Sequence, residues 1–190
     1  MSTLNKTVKR IHPKKFALWM GIVGMIMFFS AFTSAYIVRK ASANWYNFPL
    51  PNEFFYSTIA ILGSSLAFYL SKKAYLKADA KTFKGLYFLG FLLGFAFIGL
   101  QYAGWESLQA VGIDLVANQS SSFLYLITAA HVLHVMGGVV ALVVLAVGLI
   151  RGRFDVPTPK RTLKIDLTFT YWHFVDILWL YLLVFFLIQQ

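Results

Sequence analysis

The chain has 190 residues, of which 59% are hydrophobic and 13% charged, and it contains no cysteine. A soluble domain of this size could not bury so much apolar side chain, and the lack of cysteine excludes disulfides, thiolate metal sites and a thiol nucleophile. The formal charge of +10 does not indicate nucleic acid. The basic residues form short clusters between apolar runs, a pattern typical of orientation signals in membrane proteins.

Five apolar runs follow one another, and each is long enough to cross roughly 30 Å of hydrocarbon. The runs cover residues 16–38, 54–70, 85–105, 123–150 and 167–188. The first is too long for the apolar core of a cleaved signal peptide, so it predicts a retained helix. We therefore expect an all-α membrane protein, with a basic cytoplasmic tail over residues 1–15 and one five-helix domain over residues 16–190.

Basic residues lie almost wholly on one side of the expected membrane. Fifteen of the 17 Lys and Arg residues fall in the tail and in the second and fourth loops. They are Lys6, Lys9, Arg10, Lys14, Lys15, Lys72, Lys73, Lys77, Lys81, Lys84, Arg151, Arg153, Lys160, Arg161 and Lys164. Arg39 and Lys40 are the exceptions. The positive-inside rule therefore predicts a cytoplasmic N-terminus and, after five spans, a C-terminus outside.

Two of the apolar runs carry ionisable side chains. His173 and Asp176 of the fifth run are three residues apart and so share a helix face, as do His131 and His134 of the fourth. An ionisable group at mid-bilayer costs about 3 kcal/mol or more, so such groups turn toward protein and take a partner. Because His134 and Asp176 are expected at similar depth, we predict a hydrogen bond between them.

Three interpretations of these four residues are open. The favoured one is a structural hydrogen-bond network between helices. Three histidines and an aspartate are also enough ligands for a metal, and one histidine from each helix could hold haem b, although His131 and His173 are expected at opposite depths. A proton relay is the third interpretation, but the first three runs have no ionisable group in their interiors to extend it.

The third run contains Gly90 and Gly94, four residues apart. This spacing lets membrane helices approach closely, so it predicts a helix-packing surface. The alternative is that these glycines reflect only the general abundance of glycine in membrane helices.

Two segments carry a family resemblance. Residues 171–180 read Tyr-Trp-His-Phe-Val-Asp-Ile-Leu-Trp-Leu. They resemble the last-helix signature of subunit III of haem-copper terminal oxidases of the cytochrome c oxidase type. Residues 128–138, Thr-Ala-Ala-His-Val-Leu-His-Val-Met-Gly-Gly, resemble its Thr-Gly-x-His-x-x-His-Val-x-x-Gly helix. Residues 99–105 and 19–36 are similar to it more weakly. The resemblance covers nearly all of the chain from residue 16 and carries over His131, His134, His173, Asp176, Trp172 and Trp179.

The resemblance implies a non-catalytic subunit of a proton-pumping oxidase, without a metal or redox cofactor of its own. Its expected main partner is subunit I, which holds the haems and copper, followed by subunit II and a small subunit IV. Family members enclose phospholipid in a cleft between two helix groups, stabilise the catalytic subunit and support proton uptake. Five spans match the family's short form, and a bacterial plasma membrane is the expected location.

Several alternatives to this assignment stay open. The oxidase complex passes electrons to oxygen from cytochrome c or, in a sister branch, from quinol, and cytochrome c is expected on prevalence alone. An independent membrane haem or metal protein would carry its own cofactor, and a small transporter would work without partners.

The chain departs from the family pattern at two places. Most members carry a membrane-embedded carboxylate in the helix that matches the first run, and Met25 occupies that position here. The glutamate of the motif over residues 99–105 falls on Gly104, with Glu106 two residues later. A proton-linked role that depends on the first of these carboxylates is therefore not expected in this chain.

Overall fold

The computed structural model describes residues 12–41 and 45–189, and all of the regular secondary structure in those ranges is helical. The helices are α1, Pro13–Lys40; α2, Asn52–Leu76; α3, Ala80–Ala110; α4, Gln119–Ile150; and α5, Pro159–Gln189. Each is long and apolar enough to cross a membrane, which confirms the fold class expected from the five apolar runs. Most of the predicted basic tail, residues 1–11, lies outside the described residues.

The helices extend beyond the apolar runs that predict them. α5 begins at Pro159, well before the apolar run starts at Leu167, and α2 continues past Leu70 to Leu76. A helix satisfies its own backbone hydrogen bonds wherever it lies, while Lys side chains near its ends reach polar surroundings. The apolar runs therefore mark the part of each helix that suits hydrocarbon, and the helices continue on either side of it.

Side-chain caps and prolines set several helix ends. Asp79 caps α3 by accepting a hydrogen bond from the Thr82 amide at 3.1 Å. Asn118 and Ser121 form a reciprocal capping box at the start of α4. Pro159 begins α5, where the missing amide hydrogen is not needed. These caps and this proline define where α3, α4 and α5 begin, so that short loops can connect antiparallel helices.

α4 and α5 form the centre of the bundle and pack against each other. α2 and α3 make a close antiparallel hairpin, with α2 against α5 and α3 against α4. α1 packs against the remaining side of α4 and α5. The residues predicted to carry function all lie on the two central helices, so the interior of the bundle is where a site has to be sought.

Small residues allow the close approach of α2 and α3. Ser57, Ser64 and Ser71 recur every seven residues along α2 and are all buried. Ser57 accepts a hydrogen bond from Gln101 Nε2 at 3.0 Å. Ser64 and Ser71 donate to backbone carbonyls of α3, at 2.7 Å and 3.0 Å respectively. Small side chains and interhelical hydrogen bonds are what hold membrane helices together where lipid tails compete for apolar contacts.

Gly90 and Gly94 lie on the buried face of α3, where aromatic rings from two other helices fit against the backbone. A Cβ atom on Gly90 would stand 3.1 Å from the Phe68 ring of α2, and one on Gly94 only 2.8 Å from the Trp172 ring of α5. Real Cβ atoms do not approach other atoms as closely as the second distance. The two glycines therefore create the space in which α2, α3 and α5 meet.

Polar contacts fasten α1 to the bundle near both of its ends. Lys15 of α1 and Lys72 of α2 both pair with Asp166 of α5, at 3.2 Å and 2.7 Å. Toward the other end, the Thr33 and Tyr181 hydroxyls are 2.8 Å apart. Between these contacts α1 exposes a long apolar face, as a helix bordering lipid or another membrane subunit does.

Candidate functional site

A row of hydrogen bonds joins α2 to α5 inside the bundle, and we call it the α2–α5 seam. It consists of Trp179 with Thr58 at 2.9 Å, Trp172 with Ser64 at 3.1 Å, and His173 with Ser65 at 2.5 Å. Each pair joins a ring nitrogen of α5 to a hydroxyl oxygen of α2. Three of the six residues predicted from the fourth and fifth runs therefore lie in one structural feature.

The seam also continues into the neighbouring backbone. The Ser64 hydroxyl accepts from Trp172 Nε1 and donates to the Gly90 carbonyl of α3, so one serine links three helices. The Thr58 hydroxyl accepts from Trp179 Nε1 and donates to the Phe54 carbonyl at 2.7 Å. Both indole N–H groups are thus satisfied, which a buried tryptophan requires.

Asp176 lies on the same face of α5 as the seam but is not bonded to it. It follows His173 by three residues and Trp172 by four, so the three side chains are neighbours on the helix surface. Asp176 is only 2% exposed, and among the described residues neither of its carboxyl oxygens has a hydrogen-bond partner. A buried carboxyl group in this condition contributes a desolvation cost that no hydrogen bond offsets.

The predicted hydrogen bond between His134 and Asp176 is absent. His134 Nδ1 instead lies 2.7 Å from the Ala130 carbonyl of its own helix. Its ring packs against Phe28 and Phe29 of α1, with centroids 5.9 Å and 5.4 Å away. The two residues lie on different faces of the central helix pair, since His134 faces α1 and Asp176 shares the face of α5 that meets α2.

His131 lies at the centre of the bundle, fully buried among aromatic rings. Its ring centroid is 5.4 Å from that of Trp179, 6.1 Å from Phe97 and 6.3 Å from Phe29, so α5, α3 and α1 all contribute. Neither ring nitrogen has a hydrogen-bond partner in the described ranges. The His131 ring therefore contributes packing against the neighbouring aromatic rings and makes no hydrogen bond to the described residues.

The three membrane histidines thus have three different surroundings. His131 lies among rings, His134 bonds its own helix backbone, and His173 bonds Ser65. Within residues 12–41 and 45–189, no group of three His, Cys, Asp or Glu side chains is arranged to hold a metal ion. The geometry therefore shows helix-to-helix bonding at His173 and packing at His131 and His134.

The α2 partners of the seam are residues that the sequence analysis missed. The serine and threonine residues of α2 form two series with a spacing of seven, Ser57, Ser64 and Ser71 beside Thr58 and Ser65. Such a spacing places each series on one helix face. This pattern is visible in the sequence. It could have predicted that α2 forms hydrogen bonds with two other helices, which the structure shows to be α3 and α5.

Gly104, on which the resemblance places a family glutamate, packs against an aromatic ring of α2. A Cβ atom on Gly104 would lie 2.5 Å from the Phe54 ring, so no larger side chain fits there. A carboxylate reaches this part of α3 from α2 instead, because Ser107 donates a hydrogen bond to Glu53 at 2.7 Å. Glu106 points into exposed surroundings, and Met25 is half-buried on α1.

Comparison with known proteins extends these observations to the whole chain. The model of a family described as Cytochrome c oxidase subunit III matches residues 6–189. A probable cytochrome c oxidase subunit 3 of Nocardia farcinica (strain IFM 10152) is 31% identical over 160 residues, which cover 82% of this chain and 77% of the relative. Its counterpart in Mycobacterium bovis (strain ATCC BAA-935 / AF2122/97) is 29% identical with the same coverage.

A more distant relative agrees with these two. The cytochrome c oxidase subunit 3 of Thermostichus vulcanus is 26% identical over 160 residues, or 83% of this chain and 77% of the relative. The five apolar helices suit a membrane subunit, and the family match runs from residue 6 to residue 189. The chain therefore belongs to the cytochrome c oxidase subunit III family.

Proposed function

We propose that this chain is the non-catalytic subunit III of a proton-pumping haem-copper oxidase that passes electrons from cytochrome c to oxygen. The observation that carries the proposal is the family match, which spans residues 6–189. The names of the relatives favour cytochrome c over quinol as the electron donor. In this proposal the haems and copper belong to partner subunits.

The surroundings of the histidines support a structural role for this chain. His173 bonds Ser65 of α2, His134 packs against two phenylalanine rings of α1, and His131 packs among rings of other helices, so each is used in holding helices together. α1 contains no Asp or Glu, and the resemblance puts Met25 at the position of the family's membrane carboxylate. The chain would therefore support proton uptake through the shape and stability it gives the catalytic subunit.

The proposal also covers partners and location. Subunit I is the main partner, subunit II and a small subunit IV are further ones, and bound phospholipid completes the assembly. The long apolar faces on the outside of the bundle suit both lipid and another membrane subunit. The one-sided basic loops support an N-terminus in the cytoplasm and a C-terminus outside the plasma membrane of a bacterium.

Purification through an affinity tag on this chain, from membranes in mild detergent, tests the proposal. We expect a larger haem-copper subunit to co-purify, identified by mass spectrometry, together with haem absorption bands that scale with that subunit. The preparation should consume oxygen with reduced cytochrome c and not with a quinol. Purification of the chain alone with a stoichiometric haem Soret band would contradict the proposal and favour an independent membrane cytochrome.

A further inference from the structure

A groove opens at the end of the bundle where α3 ends and α4 begins, and we call it the α3–α4 groove. Its volume is about 900 Å³, within the range of roughly 300–1,000 Å³ that is usual for clefts that bind ligands. Phe48 and Pro51, from the segment before α2, and Leu108 and Val111, from the end of α3, line it together with Asn118, the cap of α4. None of its lining residues belongs to the α2–α5 seam.

Hydrogen bonds fix the segments that surround the groove. The Ser120 hydroxyl of α4 donates to the Tyr46 carbonyl at 2.6 Å, which ties the segment before α2 to the start of α4. The Tyr125 hydroxyl of α4 donates to the Ile113 carbonyl at 2.9 Å, which ties the loop after α3 to the same helix. Tyr46 and Ile113 both line the groove. Because these segments are already ordered, a partner that binds there loses less entropy in ordering them.

Apolar side chains are exposed in the groove and in the loop beside it. Tyr46 is 59% exposed and Val111 70% exposed, and both line the groove. Leu115 and Val116, in the loop that follows α3, are exposed as well. The last three of these residues lie beyond the apolar run of α3, which ends at Trp105. An exposed apolar patch outside the hydrocarbon is typical of a surface that another molecule covers.

The charged residues around the groove are all acidic. Glu53 lines it, while Glu106 and Asp114 belong to the end of α3 and to the loop that follows. Residues 45–53 and 106–118 contain no Lys or Arg. Ser107 donates to one carboxyl oxygen of Glu53 at 2.7 Å, and no ion pair within residues 12–41 and 45–189 includes any of the three carboxylates. The groove therefore combines apolar surface with a negative charge that a hydrogen bond holds in position.

We propose that the α3–α4 groove is a docking site for a segment of a partner protein on the outer side of the membrane. The segment places an apolar side chain in the groove and an Arg or Lys against Glu53. Arg suits this position best, because its guanidinium forms two parallel hydrogen bonds to a carboxylate and because Arg is enriched at protein interfaces. The negative charges repel an anionic lipid headgroup, so they favour a basic protein segment over the bilayer as the occupant.

The inference rests on the part of the proposed function that places the loop between α3 and α4 outside the membrane. It adds to that function an interaction surface and the chemistry of the segment that fits it.

Photocrosslinking in intact bacterial membranes tests the inference. Val111→p-benzoylphenylalanine places a photoreactive side chain on the groove in the tagged full-length chain. Tyr46→p-benzoylphenylalanine is a second probe that keeps an aromatic ring at its position, in case added bulk at Val111 blocks docking. After irradiation and purification through the tag, mass spectrometry identifies the attached molecule and the point of attachment.

Two charge variants are made in each probe background. Glu53→Gln removes the carboxylate that lines the groove. Glu106→Gln is the matched control, because it removes the same charge from the same end of the bundle at an exposed position that does not line the groove.

We expect an adduct with one polypeptide segment from the outer side of the membrane. That segment should carry an Arg or Lys within about four residues of the attachment point, or roughly 14 Å of extended chain. Glu53→Gln should lower the yield of the adduct about fivefold, since an accessible ion pair contributes up to about that factor in affinity. Glu106→Gln should leave the yield within about twofold, because its carboxylate lies outside the groove.

Three results would overturn the inference. One is attachment to phospholipid alone, or to no polypeptide, at both probe positions. Another is attachment to a segment that has no Arg or Lys near the attachment point. The third is an equal yield with and without Glu53→Gln, or an equal loss in the two charge variants, which would indicate that the charge in the groove has no part in docking. Co-purification of a haem-copper subunit is scored separately, so failure of the docking site is distinguishable from failure of the proposed oxidase role.

Discussion

His131 and Asp176 are among the side chains that lie buried in the bundle without a hydrogen-bond partner among the described residues. Neither ring nitrogen of His131 and neither carboxyl oxygen of Asp176 is bonded. An unsatisfied buried polar group costs about 1–3 kcal/mol. Trp172 and Trp179, which lie beside them, have their N–H groups satisfied by α2 hydroxyls. The bundle therefore combines a well-bonded seam with two buried groups that it stabilises only through packing.

Asp176 offers a test of what that packing contributes. Asp176→Ala removes buried volume on the face of α5 that meets α2, and it also removes the unbonded carboxyl group. The lost packing and the relieved desolvation cost oppose each other, so we expect a net destabilisation of the subunit of about 1 kcal/mol. We expect weaker retention of the subunit in the assembly, with the haem spectrum of the assembled complex unchanged. Thermal unfolding in detergent and the subunit ratio after purification measure the two effects.

Asp176→Asn is the matched control, because the amide keeps the volume and shape of the side chain. Since no hydrogen bond of the carboxyl group is present to be lost, this variant should unfold within about 0.5 kcal/mol of the unmodified protein. If Asn destabilises as much as Ala does, the carboxyl group itself is required and the packing explanation is wrong.

At the scale of the helices, α3 is the element whose small residues matter most for assembly of the bundle. Its buried face combines Gly90, Gly94 and Gly104 with large aromatic side chains. Rings of Phe68, Trp172 and Phe54 occupy the space above these three glycines. The α2–α3 hairpin and its contact with α5 therefore depend on the absence of side chains at fixed points along one helix.

A pair of alanine substitutions in α3 separates this steric effect from a general effect on the helix. Gly94→Ala places a Cβ atom 2.8 Å from the rigid Trp172 ring, so we expect a loss of about 1–3 kcal/mol in unfolding free energy. Gly99→Ala meets nothing within 4 Å, so it should be neutral or stabilise the helix by up to about 1 kcal/mol. Denaturation of both variants in the same detergent provides the comparison, and equal losses would contradict the steric explanation.

The sequence predicted the helices far better than their mutual orientation. Length and apolar composition were sufficient for the five spans, because crossing hydrocarbon requires both. The rotation of each helix was not accessible in the same way, since lipid-facing and protein-facing sides of a membrane helix are similarly apolar. For this reason equal depth was mistaken for contact between His134 and Asp176. The seven-residue spacing of Ser57, Ser64 and Ser71 was the better guide to which face meets protein.

For the molecule as a whole, five helices and a one-sided distribution of basic residues predict a definite orientation in the membrane. The described loops divide accordingly, with Lys77 following α2 and Asp114 following α3 on opposite sides. The ion pairs lie on the same side as the basic loops, because Asp155 and Asp166 both pair with lysines at the basic end of the bundle. The basic residues at this end of the bundle therefore set the expected orientation and also supply the partners of its acidic residues.

The absence of cysteine makes this orientation simple to test. Single cysteines are introduced as Lys77→Cys, between α2 and α3, and as Leu115→Cys, between α3 and α4, both at exposed positions. We expect a membrane-impermeant maleimide to label only Leu115→Cys in intact bacterial cells, and to label both after permeabilisation. Labelling of Lys77→Cys alone in intact cells would show that the orientation is reversed.

The polar ties of α1 have a consequence for how the protein is made. Lys15 bonds Asp166 across a separation of 151 residues, and Thr33 meets Tyr181 across 148. Both partners lie on α5, so during synthesis α1 enters the bilayer long before either is available. Contacts so distant in sequence form late, after the chain between them has been ordered. Insertion of α5 is therefore the step that completes the bundle, and it forms the seam, the ion pairs of Asp166 and the polar ties of α1 together.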